Sequence, residues 1–410
     1  MKKYKLGELM EVTRGMSLSG EYYSTKGELM RLTLGNFDYH KNCFKEDKSK
    51  ENLYFTGEVK EGFILNKDDI VTPLTEQAIG LLGSTAKIPC SGKYIQSQDV
   101  GLIKCNDKLN PNYAFYLIPS KLVRKQLSVA AQQTKIRHTS PDKIKGCTVW
   151  IPEYDKQEKI GKLLSSLDDK IALNNRINAK LEQMAKRLYD YWFVQFDFPN
   201  ADGKPYKSTG GKMVWNEELK REIPEGWEVG ILSDIANITM GQSPEGSSYN
   251  EDGKGTIFYQ GSTDFGIRFP TVRMYTTEPT RFAKKGDILM SVRAPVGAVN
   301  IANTDCCIGR GLAALNSKIG SITYLWYLMD VFKHTFENKN AAGTTFGSIT
   351  KDELFNLPVV IPQKEIIFAF NEKTFSIFNY QLSIEKETQK LTALRDRLLP
   401  LLMNGQVEVK

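Results

Sequence analysis

Two long stretches of the chain carry apolar residues at alternating spacings of four and three, which is the pattern of a coiled-coil seam. The first stretch has no proline between Pro152 and Pro199 and no glycine after Gly161. It predicts one long helix packed on another, and the alternative is an amphipathic helix lying on a globular core. The predicted seam positions are Ile160, Leu164, Leu167, Ile171, Asn174, Asn178, Leu181, Ala185, Leu188 and Trp192.

The second stretch repeats this pattern near the end of the chain, where Pro400 and then Gly405 are expected to stop the helix. Each helix should have about 35–40 residues and a length of about 50–60 Å. We expect the two helices to pack antiparallel, with Asn174 and Asn178 fixing their register by polar pairing across the seam. The predicted seam positions of the second helix are Phe370, Ile377, Ile384, Leu391, Leu394, Leu398 and Leu401.

Outside these stretches, short apolar and β-prone runs alternate with glycine and proline. Examples are the runs Gly255–Gln260, Asp287–Val292 and Gly297–Ile301. Runs of this length and composition, each bounded by turn residues, predict strands. Together with a short helix-like segment near the start, they predict a mixed α+β domain with a curled sheet.

This domain occurs twice, because collinear motifs recur along the chain. Individually the matches are weak, but their constant order over about 150 residues indicates a domain duplication rather than a solenoid repeat. The first copy is longer by about sixteen residues, which we assign to loops. The matched segments are Leu6–Ser17 with Leu232–Ser243, Gly35 and Asp38 with Gly261 and Asp264, Asp69–Val71 with Asp287–Leu289, Asp142–Ile144 with Asp352–Leu354, and Val149–Pro152 with Val359–Pro362.

The sequence therefore predicts an α+β protein in which two similar mixed α/β domains are separated by two long antiparallel helices. The helices form a coiled coil, and the whole chain has an internal pseudo-twofold repeat. The predicted boundaries are a first domain at 1–152, a first spacer helix at 153–193, a central connector at 194–230, a second domain at 231–362 and a second spacer helix at 363–405.

Composition and charge narrow the class of protein only slightly. The 410 residues are 41% hydrophobic and include 55 Lys and Arg against 48 Asp and Glu, a net charge of +7 that permits a nucleic-acid partner without indicating one. No apolar run approaches the length of about 18–20 residues that spans a bilayer, and the charged start lacks the apolar core of a secretion signal. Six cysteines without C-x-x-C spacing predict free thiols, so we expect a cytoplasmic protein.

Two similar but non-identical domains held at a fixed distance would suit a divided DNA site. Paired half-sites one helical turn apart lie about 34–36 Å from centre to centre, which helices of the predicted length can bridge. Because the two copies differ in sequence, their half-sites should differ too. The architecture thus predicts an asymmetric bipartite target with an unread spacer.

Several segments resemble the specificity (S) subunit of a Type I restriction–modification enzyme, and the resemblance covers essentially the whole chain. The central connector is the most specific part, and the first domain matches less well than the second, with Thr72-Pro73-Leu74 near the position of the Arg-Ala-Pro segment. The segments that carry the resemblance are Trp192–Pro199, Gly210–Met213, Ile223–Trp227, Pro152 with Gln157, Leu167-Asp168, Leu398–Leu402, Gly241–Pro244, Tyr259–Gly261, Ser291–Gly297 and Ile308–Ala313.

The resemblance implies a non-catalytic, sequence-specific DNA-binding subunit. Such a subunit docks two methyltransferase (modification) subunits, which use S-adenosylmethionine to methylate adenine N6. Restriction subunits then add cleavage driven by ATP and magnesium. The chain itself is expected to bind no cofactor or metal, because it lacks a P-loop and a cofactor-type G-x-G-x-x-G, and its three histidines have no partners at ligand spacing.

Candidate base-reading residues are those that can contact base edges and that stand on loops marked by glycine or proline. Arginine suits guanine, asparagine and glutamine suit adenine, and serine and threonine suit either. In the first domain the DNA-binding candidates are Arg14, Ser17, Arg31, Asn36, Gln77, Gln98, Gln132, Gln133, Arg137 and His138. In the second domain they are Gln242, Ser243, Gln260, Ser262, Arg293, Arg310, Thr344, Thr345 and Ser348.

Two alternatives remain open on the sequence alone. One is a stand-alone nuclease, because Asp142, Asp168 and Lys170 loosely resemble an acidic–lysine cluster, although solvated charge is expected for the two residues on the helix. The other is a scaffold whose duplicated domains bind protein. DNA binding that is salt-sensitive and competed by a single sequence would exclude the scaffold.

Overall fold

A computed structural model describes residues 1–76, 78, 80–130, 137–341 and 347–409. The chain divides into two compact units, one formed by Met1–Ile171 with Lys390–Lys410 and the other by Ala172–Gln389. Each unit combines one duplicated domain with a part of each long helix. Within the described ranges, none of the helices is both long and apolar enough to cross a membrane.

In the described part of the chain up to Tyr189 there are fourteen short strands, three short helices and the first long helix. The strands are β1 (Lys2–Lys5), β2 (Met10–Arg14), β3 (Tyr23–Ser24), β4 (Leu29–Arg31), β5 (Phe37–Asp38), β6 (Cys43–Phe44), β7 (Tyr54–Phe55), β8 (Ile70–Pro73), β9 (Thr75–Glu76), β10 (Ala86–Lys87), β11 (Tyr94–Ile95), β12 (Val100–Cys105), β13 (Arg137–His138) and β14 (Thr148–Ile151). The helices are α1 (Pro111–Leu117), α2 (Lys121–Ala130), α3 (Pro141–Lys145) and α4 (Tyr154–Tyr189).

Two four-stranded sheets form the centre of the first domain. The antiparallel sheet has the order β10-β8-β12-β2, and the second sheet has the order β11-β4-β7-β3 with β11 and β4 parallel. Strand β1 pairs with β14 and so joins the start of the domain to its end. Asn110 accepts hydrogen bonds from the first turn of α1 and Pro111 occupies its first position, so the helix starts where the sequence favours a start.

The described residues that follow form thirteen further strands, three short or medium helices and the second long helix. The strands are β15 (Met213–Asn216), β16 (Arg221–Pro224), β17 (Glu228–Ile231), β18 (Ala236–Met240), β19 (Tyr249–Asn250), β20 (Thr256–Tyr259), β21 (Met274–Thr276), β22 (Phe282–Ala283), β23 (Ile288–Ser291), β24 (Val299–Ile301), β25 (Cys306–Ile308), β26 (Leu312–Ser317) and β27 (Pro358–Ile361). The helices are α5 (Leu232–Ile235), α6 (Ile322–Ala341), α7 (Lys351–Phe355) and α8 (Lys364–Met403).

The strand order confirms the predicted duplication of a mixed α/β domain. The sheet β18-β26-β23-β24 repeats the order of β2-β12-β8-β10, and β19-β21-β20-β25 repeats that of β3-β7-β4-β11, again with one parallel pair. Strand β17 pairs with β27 as β1 pairs with β14. The second domain adds one edge strand, β22, beside β25.

The register of the repeat differs from the sequence prediction at one place. Gly35 and Asp38 were expected to match Gly261 and Asp264. In the structure, the residue equivalent to Asp264 is Asn36 instead of Asp38. Each of these two side chains closes a 3₁₀ turn, Asn36 on the N–H of Thr33 at 2.9 Å and Asp264 on the N–H of Gly261 at 3.5 Å. An ungapped comparison misses this two-residue shift, because an asparagine and an aspartate perform the same capping role.

In the first unit, the start of α4 packs against the end of α8. Ile160 and Leu164 share a buried cluster with Leu402 and Met403. Further along α4, Asp168 accepts a hydrogen bond from the Arg395 guanidinium at 2.8 Å. Residues with higher numbers on α4 contact residues with lower numbers on α8, so the two helix segments run antiparallel.

In the second unit, polar side chains are buried between the two helix segments. The Asn174 amide donates to Glu387 at 2.8 Å and to Thr388 at 3.2 Å. The side chains of Asn178 and Gln381 each donate to the other residue's carbonyl, at 3.4 and 3.2 Å. These segments are antiparallel as well, and both predicted seam asparagines lie buried between them.

The α8 seam was predicted less well than the α4 seam. All ten predicted α4 positions are buried or half-buried, whereas Leu394 of α8 is 45% exposed. Thr374, Gln381 and Thr388 are buried instead. An apolar pattern cannot reveal seam positions that are filled by polar residues.

The predicted end of α8, at residue 405, lies two residues beyond the observed end at Met403. Pro400 does not stop the helix but lies inside its last turn. Gly405, at a φ of +69°, follows as the turn residue that ends it.

The connector after α4 is an ordered aromatic core. A turn of π-helix, Asp190–Val194, adds one residue to the helical turn and is followed by Phe196 and Phe198. Both phenylalanines are buried and contact Trp227, with Phe198 stacked on its ring at a centroid distance of 5.0 Å. Gly210 adopts a φ of +87° at the end of the turn 206–210, and Lys212 beyond it pairs with Glu225.

All six cysteines are free, as expected. Burial raises the pKa of the Cys105 and Cys147 thiols to about 11 and that of Cys306 to about 12. These thiols are therefore protonated and unreactive at neutral pH.

Removing the Phe193 ring should destabilise the second unit. The ring lies at 4.9 Å from Tyr324, 5.0 Å from Phe370 and 5.1 Å from Tyr189, measured between centroids. We expect Phe193→Ala to lower the free energy of unfolding by about 3–5 kcal/mol, because a cavity replaces a packed aromatic side chain. Urea denaturation measures this, with the exposed neighbour Val194→Ala as the matched control. Equal stability of the two variants would contradict the central position of this ring.

Candidate nucleic-acid interface

In the second unit, five loop segments meet around the turn Gly309–Gly311. The N–H of Gly309 donates to the Tyr259 carbonyl at 2.8 Å, the N–H of Gln242 to the Ile308 carbonyl at 3.0 Å, and the N–H of Val292 to the Gly311 carbonyl at 2.9 Å. The N–H of Ile349 completes the set by donating to the Val292 carbonyl at 2.9 Å. We call this the second loop edge, formed by residues 241–243, 259–262, 292–294, 309–311 and 347–349.

Every second-domain candidate that the structure describes lies on this edge. Ser243 and Ser262 are half-buried, and the Ser243 hydroxyl accepts a hydrogen bond from the Arg310 N–H at 3.2 Å. Arg293 forms an isolated β-bridge with Ser348, which brings the last segment beside the third. The exposed candidates are Gln242, Gln260, Arg293, Arg310 and Ser348.

The first unit builds a similar edge with three of these four main-chain hydrogen bonds. The N–H of Met16 donates to the Gln96 carbonyl at 3.1 Å, and the N–H of Leu74 donates to the Asp99 carbonyl at 2.8 Å. The N–H of Thr139 donates to the Leu74 carbonyl at 2.9 Å, as Ile349 does to Val292. This first loop edge is formed by residues 15–17, 32–33, 74–76, 96–99 and 137–139.

These shared bonds define which residues of the two edges are equivalent. Gln98 corresponds to Arg310, Thr75 to Arg293 and His138 to Ser348. The Arg-Ala-Pro segment of the second domain therefore matches the chain from Thr75 onward, directly after Thr72-Pro73-Leu74, which the sequence placed near it. The exact alignment required the structure, because the two segments have no residue in common.

The first-domain candidates that the structure leaves available are Arg14, Ser17, Gln98 and His138. All four side chains are exposed. The His138 Nδ1 lies 3.3 Å from the Thr75 hydroxyl, which also donates to Asp99 at 3.0 Å. These contacts hold the third segment of the edge to the fourth and to the fifth.

Two first-domain candidates were predicted wrongly as surface readers. Asn36 is 4% exposed, and its side chain accepts from the Thr33 N–H and donates to the Lys45 carbonyl at 3.1 Å. Arg31 is 8% exposed, donates to the Asn52 carbonyl and stacks at 3.9 Å on the Tyr23 ring. Both side chains are used within the domain and are excluded from the interface.

Some candidates lie outside the described residues, namely Gln77, Gln132, Gln133, Thr344 and Thr345. For Arg137 only the backbone is described, and it pairs with Glu76 where β13 meets β9. These residues stay predictions.

One exposed arginine beside the second loop edge was missed. The Arg281 carbonyl accepts from the Ile308 N–H at 2.9 Å, and the neighbouring Thr280 hydroxyl donates to the Gln242 carbonyl. Pro279, two residues before Arg281, marks the loop in the sequence and was the signal that could have revealed it.

The acidic residues of the nuclease alternative have other roles. Asp168 accepts from the Tyr116 hydroxyl at 2.6 Å and from Arg395, so the prediction of a solvated charge is wrong. Burial, followed by the Asp168 charge, raises the pKa of Tyr116 above its usual range. Asp142 is exposed and pairs with Lys145 at 3.3 Å. Across the described ranges, His, Cys, Asp and Glu side chains do not gather in the threes that a metal ion needs.

Comparisons with known proteins agree with this architecture. The family model of the Type I restriction modification DNA specificity domain matches residues 1–183 and 224–394. The chain is 32% identical over 312 residues to a putative Type I restriction enzyme MjaX specificity subunit of Methanocaldococcus jannaschii, covering 74% of this chain and 70% of that one.

Further similarities extend to bacterial proteins. The chain is 24% identical over 365 residues to the HindI specificity subunit of Haemophilus influenzae, covering 72% of this chain and 77% of that one. The crystal structure of the S subunit from M. genitalium shares the fold with a TM-score of 0.64 at 16% identity, covering 98% of this chain and 95% of that one. With its duplicated domain matched twice by the family model, the chain belongs to the family of Type I restriction–modification specificity subunits.

Proposed function

We propose that the chain reads an asymmetric bipartite DNA target, with one half-site contacted by each loop edge. The observation that carries this proposal is that three equivalent main-chain hydrogen bonds build one edge twice, with different exposed side chains. Two loop edges with the same backbone arrangement are suited to dock on the same geometry of the DNA duplex. Different side chains support different base preferences.

The chemistry of the exposed side chains suits base edges in the major groove. Arg310 offers a planar guanidinium, which pairs best with guanine, whereas the equivalent Gln98 offers an amide, which pairs best with adenine. Arg293 corresponds to Thr75, whose side chain is buried and bound to Asp99, so at this position only the second edge offers an exposed side chain. The two half-sites should therefore differ at the positions beneath these residues.

The two long helices are proposed to act as a coiled-coil spacer with pseudo-twofold symmetry. Helices α4 and α8 have 36 and 40 residues, hence lengths of about 54 and 60 Å at 1.5 Å per residue. The antiparallel contacts keep one register, since Asp168 meets Arg395 in the first unit and Asn174 meets Thr388 in the second. A fixed helix length would set the length of the unread DNA spacer.

The partners proposed for this chain are double-stranded DNA, two methyltransferase subunits and restriction subunits. Exposed aromatic side chains support protein docking, because Phe368 and Phe375 stand on α8 and Trp215 on the connector, each 45–56% exposed. We propose that the chain itself performs no catalysis. S-adenosylmethionine, ATP and magnesium would then be bound by the partner subunits.

Two glycines let the loop edges close. A Cβ added to Gly241 would lie 2.2 Å from the Gly309 carbonyl oxygen, and one added to Gly15 would lie 2.3 Å from the carbonyl oxygens of Gln96 and Ser97. In both cases the obstructing atoms are main-chain carbonyl oxygens, which cannot rotate away as a side chain can. Any larger residue must therefore push two segments of the edge apart.

Arg310→Ala should weaken binding to the cognate target by about 1–3 kcal/mol, because a bidentate base contact is lost. Fluorescence anisotropy with the purified chain measures the affinity, and Arg187→Ala, which removes an exposed arginine of α4, is the control. Unchanged affinity with intact folding would remove Arg310 from the interface. An equal loss on unrelated sequences, with a shallower salt dependence, would assign it to phosphate.

Gly241→Ala should weaken DNA binding without removing any side chain that contacts DNA. Overpacking costs about 1–3 kcal/mol, and here the cost falls on the geometry of the second loop edge. Thermal unfolding and anisotropy are measured together, with Gly246→Ala as the control because its added Cβ meets nothing within 4 Å. A variant that binds DNA like the wild type would show that the edge is not the interface.

Insertion of one helical turn, about 5.4 Å, into both α4 and α8 should lengthen the accepted spacer by one or two base pairs. Single-molecule mapping of methylated adenines, after co-expression with the cognate methyltransferase, reads the spacer directly. The same residues inserted at the connector turn near Asp202 are the control and should leave the spacer unchanged. An unchanged spacer in the helix variant would disprove the proposal that the helix length sets the spacer.

A further inference from the structure

One arginine of the second domain is buried against the long helices. Arg268 stands on the loop Phe265–Pro270, only 5% exposed, and its guanidinium donates to Glu182 of α4 at 2.8 Å. It also lies between two aromatic rings, 4.8 Å from the Trp326 centroid and 5.0 Å from the Phe378 centroid. A single side chain thus touches α4, α6 and α8.

Glu182 gathers donors from each of these elements. Besides Arg268, its carboxylate accepts from the Trp326 indole N–H at 3.2 Å and from the Gln381 amide at 2.9 Å. The Tyr327 hydroxyl lies at 3.5 Å. The Glu182 carboxylate is one third exposed and is held by these donors, whereas Arg268 is buried, so loss of the carboxylate leaves the Arg268 charge buried without its counter-ion.

The loop that carries Arg268 is continuous with a segment of the second loop edge. The N–H of Gln260 donates to the Asp264 carboxylate at 2.8 Å, and the N–H of Thr271 donates to the Asp264 carbonyl at 2.7 Å. Asn300, itself buried, exchanges hydrogen bonds with the main chain of Gly266 at 3.0 and 3.1 Å. These hydrogen bonds therefore hold residues 260–271 together as one unit, which contains both the candidate base reader Gln260 and the buried Arg268.

We propose that Arg268 and Glu182 are positioning residues that set which spacer length the protein accepts. A DNA target with one base pair too many or too few requires the second domain to shift against its helix segments. That shift would separate the buried Arg268 guanidinium from its counter-ion Glu182, so the wrong spacer is penalised. The inference rests on the proposed bipartite target and adds the residues that enforce its spacing.

A nearby ion pair provides a matched control. Lys186 of α4 pairs with Asp330 of α6 at 2.7 Å, and both side chains are a quarter to a third exposed. It joins the same two helices about one turn from Glu182 but does not touch the loop 260–271. Its removal changes helix contacts without releasing that loop.

The experiment compares Arg268→Met, Glu182→Gln and Lys186→Met with the wild type. Each chain is co-expressed and purified with its methyltransferase, after the wild-type target has been mapped. Duplexes with the mapped spacer, one base pair fewer and one more are then titrated by anisotropy. We expect Arg268→Met and Glu182→Gln to reduce the discrimination between spacers by about tenfold or more, because a charged hydrogen bond no longer resists the shift.

Lys186→Met should retain the wild-type discrimination. Glu182→Gln keeps the shape of the side chain, so it reports on the proposal even if Arg268→Met unfolds, and thermal unfolding checks both variants. Full discrimination in a folded Glu182→Gln complex would overturn the positioning role. So would an equal loss in Lys186→Met. A wild-type complex that methylates no bipartite site would instead refute the proposed function.

Discussion

Polar groups buried between α4 and α8 constrain everything that these helices carry. Asn178 and Gln381 exchange hydrogen bonds with each other's main chain, and Asn174 binds Thr388. A slip by one turn would leave these amides buried without partners, at a cost of about 1–3 kcal/mol for each group. Apolar contacts alone would tolerate several registers, since leucine and isoleucine pack against many neighbours. Each domain is therefore attached to helix segments whose alignment is unique.

Each unit attaches its domain to α4 through a carboxylate, yet the two attachments differ. In the first unit, Asp168 binds Tyr116 of α1 and Arg395 of α8. In the second unit, Glu182 binds a loop that continues into the loop edge. The duplicated strands and main-chain bonds are shared, whereas the side chains at the helix contacts have diverged. Duplication preserved the backbone scaffold and left the attachment of each copy to change separately.

Sequence patterns gave the long helices, the duplication and the family, because these depend on periodicity and on motifs that repeat in order. The α4 seam followed from its apolar spacing, but Thr374 and Gln381 of α8 are buried polar residues that no apolar pattern reveals. Asn36 was misplaced for a related reason, since asparagine serves equally well as a turn cap and as a base reader. The pairing of Gln98 with Arg310 required the structure, because it depends on main-chain hydrogen bonds between segments far apart in sequence.

The turn Gly309–Gly311 is held by main-chain groups and the Ser243 hydroxyl, so the Arg310 side chain has no part in the bonds that fold it. A residue in this situation is free to vary. Single nucleotide changes at that codon can alter the side chain offered to DNA while the domain folds as before. In the proposed bipartite reader, the distance between the half-sites would have no such freedom, because it would be set by two helices and their buried contacts. In a lineage of such proteins, preferred bases should then drift quickly and spacer lengths slowly.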